Sequence, residues 1–267
     1  MRQYLYATLF VIACLCLGIN LPVSAGVSDD QYFDSDGVEI RYKVIGTGTP
    51  VILIHGFLSN FELNWQETIK VLAPHFQIIG MDARGHGKSS KPHNEDAYGV
   101  SMVKDVVRLM DHLSIKKSHV VGYSMGGMIS LKMAALYPDR LYSSTTGGNG
   151  LFTVENIESM SAGQSSYLQK AIDKNILLPY DNDPQALIFL LKNLKKIALT
   201  KEEIDQISVP LFAIYGSLDD PIKTIDKLKA ARPETQVKII PDENHNSAPH
   251  SLKFNETLRE SLLKIKR

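Results

Sequence analysis

The sequence predicts an α/β protein: a mostly parallel sheet flanked by helices, with a helical insertion in its second half. Three observations predict it. Apolar runs at 51–54, 77–81, 118–122, 209–216 and 236–240 alternate with stretches of helical periodicity, as expected for parallel strands covered on both faces. One run, ending in Val120 and Val121, enters a G-x-S-x-G turn at Gly122, Tyr123, Ser124, Met125 and Gly126, and a helical pattern follows it directly. Between Gly147 and Ile207 the strand–helix rhythm breaks.

The elements follow in order. Residues 1–25 read as a secretory signal peptide: Arg2, an apolar run over 8–21, then Ser24 and Ala25 as small residues at a cleavage site before Gly26. The apolar run is shorter than the ~20 residues of a membrane span, so the mature chain is expected to have no stable span and to be exported, periplasmic or secreted. Two alternatives stay open, a retained N-terminal membrane anchor or a lipid on Cys14. Cys14 and Cys16 both fall in this segment, which leaves no cysteine downstream.

Residues 32–44 form a hairpin around Asp36 and Gly37. The run at 51–54 ends in His55, Gly56 and Phe57, and the run at 77–81 in Asp82-Ala83-Arg84-Gly85-His86-Gly87-Lys88-Ser89. The latter matches neither phosphate-binding glycine pattern. Val103, Val106, Val107, Met110 and Leu113 mark an amphipathic helix. After Ser124, Met128, Leu131, Ala135 and Leu136 place one apolar face on a helix that stops before Pro138.

Residues 147–206 form the insertion, a helical cap between two parts of one domain, 26–146 and 207–267. Asp183-Pro184 starts a helix, and Thr200 with Glu203 makes a capping box. The late strand runs into Ser217, Leu218, Asp219 and Asp220, and the last into Asp242, Glu243, Asn244 and His245. Phe254, Leu258, Leu262 and Ile265 mark the closing helix, which contains an N-x-T sequon at Asn255.

Composition narrows the class. The chain has 267 residues, 44% hydrophobic, enough for a large core. Its 29 Lys and Arg balance 29 Asp and Glu, so no basic excess points to nucleic acid. His75, His93, His112 and His119 are expected in loops or on helix surfaces, and no His or Cys spacing suggests a metal site.

With its H-G-F turn, its D-x-R-G-x-G-x-S loop and its strand–G-x-S-x-G–helix unit, the chain resembles the α/β-hydrolase family over nearly all of residues 32–265. The resemblance implies an α/β-hydrolase fold with an eight-stranded type of sheet. It implies Ser124 as nucleophile, Asp219 as the acid and His245 as the base, with Asp220 and His250 as second choices. It also implies an oxyanion hole from the backbone N–H groups of Phe57 and Met125, while His55, Asp82 and Arg84 shape loops. The expected reaction is hydrolysis of a small carboxylic ester or lactone through an acyl-enzyme, without cofactor or metal. A serine at the nucleophile position argues against dehalogenase and epoxide hydrolase chemistry. Amide or C–C hydrolysis, cofactor-free peroxidase activity, and a ligand receptor or binding module with little turnover remain alternatives. Phe152, Tyr167, Leu187, Phe189 and Leu190 are the candidates for the inner face of the cap. Oligomeric state is not legible.

Overall fold

A computed structural model describes residues 29–219 and 222–265 of the chain. The proposed signal peptide, Cys14 and Asp220 lie outside the described residues. Eight strands form one sheet: β1 (Gln31–Asp34), β2 (Glu39–Ile45), β3 (Thr49–Ile54), β4 (Phe76–Met81), β5 (Ser118–Tyr123), β6 (Leu141–Gly147), β7 (Leu211–Gly216) and β8 (Gln236–Ile240). Their spatial order is β1-β2-β4-β3-β5-β6-β7-β8. The β1–β2 hairpin is antiparallel and β2 joins β4 antiparallel; every other pairing is parallel. This is the α/β-hydrolase fold.

Helices cover both faces. On one face α1 (Phe61–Leu72) and α8 (Leu252–Leu263) bury Phe61, Trp65, Leu72, Phe254, Leu258 and Leu262 against β3, β5 and β7. On the other, α2 (Val100–His112) and α3 (Met125–Leu136) pack with Ile225 and Leu228 of α7 (Ile222–Ala231). Between β6 and β7 stand α4 (Val154–Asp173), α5 (Pro184–Leu194) and α6 (Lys201–Gln206). Asp183 caps α5 by accepting from the N–H groups of Gln185 and Ala186, and Thr200 and Glu203 cap α6 reciprocally.

Two local expectations are corrected, and the sequon is placed. His119 is neither in a loop nor on a helix surface; it is buried inside β5, 2.8 Å from the Ser143 hydroxyl. The helix after Ser124 does not present a single apolar face. Every residue of α3 from Met125 to Ala135 is buried, because the sheet covers one side and the α4–α6 segment the other. Lys132 survives there because its ammonium donates to both carboxylate oxygens of Glu203, at 2.6 and 2.7 Å, and to the Ala198 carbonyl. Asn255 of the sequon is fully buried and bonded to Thr68, Pro249 and Ser251, so the folded chain gives no access to it.

Candidate active site

Ser124 sits in the sharp turn between β5 and α3. Its φ of 52° and ψ of −117° lie where a side chain is strained, at a cost of order 1–3 kcal/mol. The flanking glycines make the turn sterically feasible. A Cβ on Gly122 would lie 1.9 Å from the Gly126 carbonyl oxygen, and one on Gly126 would lie 2.1 Å from that of Ile54. The turn is pinned from β6: the Ser124 N–H donates to the Gly147 carbonyl, and the Asn149 amide donates to the Ser124 carbonyl, each at 2.8 Å.

The ends of β7 and β8 bring the other two groups in. The N–H of Ser217 donates to Ile240 and that of Leu218 to Glu243, which ties the two loops together. Asp219 is 2% exposed. The ring Nδ1 of His245 lies 3.1 Å from both Asp219 carboxylate oxygens, and its Nε2 lies 3.0 Å from the Ser124 hydroxyl oxygen. An ionised carboxylate only accepts, so Nδ1 carries the proton and donates; Nε2 is then free to accept from the Ser124 hydroxyl. His250 does not join this row; it ends a 3₁₀ turn and is exposed.

The turn after β3 is held from below. The buried His55 ring donates through Nδ1 to the Gly56 carbonyl at 2.7 Å and accepts at Nε2 from the Ala83 N–H at 2.9 Å. Burial keeps its pKa below the ordinary histidine value, so the ring serves as a neutral strut. Asp82 accepts from the N–H groups of Phe61 and Lys88, each at 2.9 Å, and Arg84 makes a two-point bond to the buried Asp105. His86 packs edge-on against both His55 and Phe57. Phe57 and Met125 are thereby placed beside Ser124, at the wall of one cavity.

That cavity measures about 460 Å³ and lies between Ser124 and the α4–α5 pair, with Met128, Phe152, Met160, Gln164 and Leu194 in its wall. Of the five insertion residues expected at its inner face, Phe152 is there. The others are not. Leu187 and Leu190 are fully buried among other core side chains, Phe189 packs beside His93 and under Lys192, and Tyr167 is 56% exposed. Helical periodicity marks a buried face without saying whether a cavity or a neighbouring helix buries it. Met160, Gln164 and Leu194 escaped notice for that reason. Tyr123 and Asn149 escaped because their roles rest on long-range contacts: the Tyr123 hydroxyl donates to the His245 carbonyl, 122 residues away.

Among the described residues no three His, Cys, Asp or Glu side chains converge as a metal site requires, and no helix is long and apolar enough to cross a membrane. A serine hydroxyl bonded to an imidazole that is itself bonded to a buried carboxylate can lose its proton as it attacks a carbonyl carbon.

Comparison with known proteins agrees with this fold. The family model described as alpha/beta hydrolase fold matches residues 49–186. The chain is 29% identical over 222 residues to the dihydrolipoyllysine-residue acetyltransferase component of an acetoin cleaving system from Pseudomonas putida, covering 74% of this chain and 59% of that protein. The chain thus spans little more than half the length of that relative. It is 24% identical over 249 residues to the pimeloyl-[acyl-carrier protein] methyl ester esterase of Vibrio atlanticus, covering 77% of this chain and 91% of that one. A thermophilic esterase from Thermogutta terrifontis superposes with a TM-score of 0.73 at 21% identity, over 91% of this chain and all of the other, a likeness of fold.

Proposed function

This chain belongs to the alpha/beta hydrolase fold family, and from that premise we propose that it is a serine hydrolase cleaving a carboxylic ester or lactone through an acyl-enzyme on Ser124. The observation that carries the proposal is the bonded row Asp219–His245–Ser124 opening onto a cavity walled in part by Met128, Phe152, Met160 and Leu194.

In this mechanism His245 takes the hydroxyl proton while Ser124 Oγ bonds to the carbonyl carbon. The backbone N–H groups of Phe57 and Met125 receive the oxyanion; one such donor is worth about 3–4 kcal/mol of barrier. Asp219 holds the imidazole in the tautomer that accepts at Nε2 and balances its charge once protonated. The C–O bond to the alcohol breaks as His245 returns the proton to the leaving oxygen. Water, deprotonated by the same ring, then releases the acid. The helices of 147–206 act as a cap, whose cavity wall of Phe152, Met160 and Leu194 suits an apolar acyl group. Residues 1–25 direct export, so exported protein begins at Gly26; a mature chain beginning at a lipid-bearing Cys14 would replace that proposal.

The test is labelling with a fluorophosphonate together with turnover of acyl esters of increasing chain length and of a lactone. Wild-type protein is expected to label once and to turn over; Ser124→Ala is expected to do neither. Undiminished labelling of Ser124→Ala overturns the assignment of the nucleophile. Labelled wild-type protein that turns over no ester or lactone overturns the substrate class.

A further inference from the structure

The turn that carries Phe57 is held at both ends, by two different parts of the chain. Gly56–Ser59 form a β-turn closed by the Ser59 N–H, which donates to the Gly56 carbonyl at 3.3 Å. Its backbone lies against the proposed nucleophile: a Cβ on Gly56 would meet the Ser124 Cβ at 3.3 Å. At the near end, Gly56 is fixed from the core. Its carbonyl accepts from His55 Nδ1 at 2.7 Å, and its N–H donates to Asn64 Oδ1 at 2.9 Å. At the far end, the Leu58 carbonyl accepts from the side-chain amide of Asn182, 124 residues on in the insertion, at 3.2 Å. Phe57 lies between the two anchors.

Asn182 is 6% exposed. Its Nδ2 also donates to the Pro179 carbonyl at 2.9 Å, and two carbonyl acceptors settle which end of the amide is nitrogen. Both turns that meet at this amide are strained. Leu58 takes a φ of 59°; Tyr180 and Asp181, the middle residues of the Pro179–Asn182 turn, take 60° and 55°. Residues with side chains rarely adopt such angles, which persist only where the surroundings over-determine them. The next residue ties the insertion to a different core loop: Asp183 caps α5 and lies 2.7 Å from His93 Nε2. Of these two adjacent ties, only that of Asn182 reaches the turn beside Ser124.

We infer that Asn182 is a positioning residue of the reaction proposed above: from the insertion, its amide fixes the Gly56–Ser59 turn so that the Phe57 N–H is aimed at the oxyanion. The inference rests on the serine hydrolase reading. Without that bond the turn is tied at Gly56 alone. Movement of the turn then relieves the strain at Leu58, and the Phe57 N–H, one residue away, moves with it. A displacement of about 1 Å at a reacting group costs on the order of 10²-fold in rate. Asn182 is not in the wall of the cavity beside Ser124, so its effect falls on rate and not on substrate affinity. The insertion thereby serves the chemistry as well as the cavity wall.

The experiment measures turnover of a short acyl ester by the full-length protein and its inhibition by an aliphatic trifluoromethyl ketone. On that ketone Ser124 Oγ adds to the carbonyl carbon, His245 takes the hydroxyl proton, and the ketone oxygen becomes an oxyanion in the same place. Asn182→Ala and the isosteric Asn182→Asp are each expected to lower kcat by about 10–100-fold at little changed KM, and to weaken ketone inhibition by a similar factor. His93→Ala breaks the adjacent exposed tie and is expected to leave kcat and ketone inhibition within about twofold of wild type. Linkage gives a check on wild type alone: a loop that holds the turn for the oxyanion is itself held when the oxyanion is present. Hydrogen exchange in a peptide spanning 178–183 is expected to slow several-fold with the ketone bound, and not with the matching trifluoromethyl alcohol, which brings no oxyanion. Undiminished kcat in a folded Asn182→Ala or Asn182→Asp, an equal loss in His93→Ala, a fall in kcat without weaker ketone inhibition, or exchange over 178–183 that the ketone does not slow each overturns the inference while the esterase reading stands. If neither Asn182 variant folds, the exchange result decides. Wild-type protein that neither turns over ester nor labels with fluorophosphonate removes the esterase reading, and this inference with it.

Discussion

The hydroxyl of Tyr123 donates a 2.7 Å hydrogen bond to the backbone carbonyl of His245. The residue before the proposed nucleophile thus holds the segment that carries the proposed base. Its ring also lies 5.3 Å from the imidazole and edge-on to Phe254 and Trp65. Burial pushes the phenol's pKa above the ordinary tyrosine range, so it remains a neutral donor at any working pH. Tyr123→Phe keeps the packing and removes the bond. The expected outcome is a loss of about 0.5–1.5 kcal/mol in urea unfolding and a fall in kcat with KM little changed. A purely structural role would leave kcat of the folded fraction where it was.

His245→Ala is expected to lower kcat by several orders of magnitude, since the hydroxyl then has no positioned base. His250→Ala, altering an exposed residue outside the bonded row, is expected to cost far less on simple esters. Steady-state kinetics of the two variants decide it, and the reverse ranking would move the base to His250.

Chain-length preference is expected to respond to the residues that wall the cap-side cavity. Phe152→Ala, Met160→Ala and Leu194→Ala should each shift the kcat/KM ratio of short to long esters by about 10–200-fold. Tyr167→Ala should not, because its side chain faces solvent. Leu187→Ala should instead cost about 2–5 kcal/mol of stability through the cavity it leaves in the core.

The Lys132–Glu203 pair makes a prediction about cohesion. Glu203→Gln leaves an ammonium buried with a carbonyl and a neutral amide, and is expected to cost about 1–3 kcal/mol. Adding Lys132→Met removes the stranded charge. The double variant is therefore expected to be more stable than Glu203→Gln alone, as read by urea titration of the three proteins.

Burial holds the pKa values of His55 and His86 below the ordinary histidine value. The unfolded chain binds protons at these rings at a higher pH than the folded one does, so stability falls as pH drops through about 6.5. Unfolding free energies at pH 7.5 and 5.5 are expected to differ accordingly, and His86→Asn should narrow the difference.

The parallel sheet and the turn at Ser124 are legible in the sequence because backbone chemistry demands them locally, apolar runs for strands and glycines for the turn, whereas Asp219 and His245 are read from the resemblance to the α/β-hydrolase family. Two core elements gave little signal. β6 reads Leu-Tyr-Ser-Ser-Thr-Thr-Gly, with buried hydroxyls where apolar residues are expected; Ser144 donates to the Ser130 carbonyl and Ser130 to that of Thr145, so two hydrogen bonds tie the strand to α3. α1 buries Asn64 and Thr68 between Phe61, Trp65 and Leu72, which interrupts its apolar stripe. Beyond Phe152, the insertion's share of the cavity wall was not legible, for side chains at one helical spacing meet a helix at Leu187 and an open space at Met160.

The full burial of α3 has a bearing on how this protein could be remodelled. Met128 and Leu131 share one continuous apolar core with Ile157 and Ile197 of the insertion. Grafting in a foreign 148–210 segment would leave those side chains facing water or a mismatched surface, at roughly 1.5–3 kcal/mol for each large one exposed. The segment is therefore not an interchangeable module. Changes of specificity in this lineage are expected to travel by single substitutions along the cavity wall, and laboratory chimeras to need the outer face of α3 rewritten with the graft.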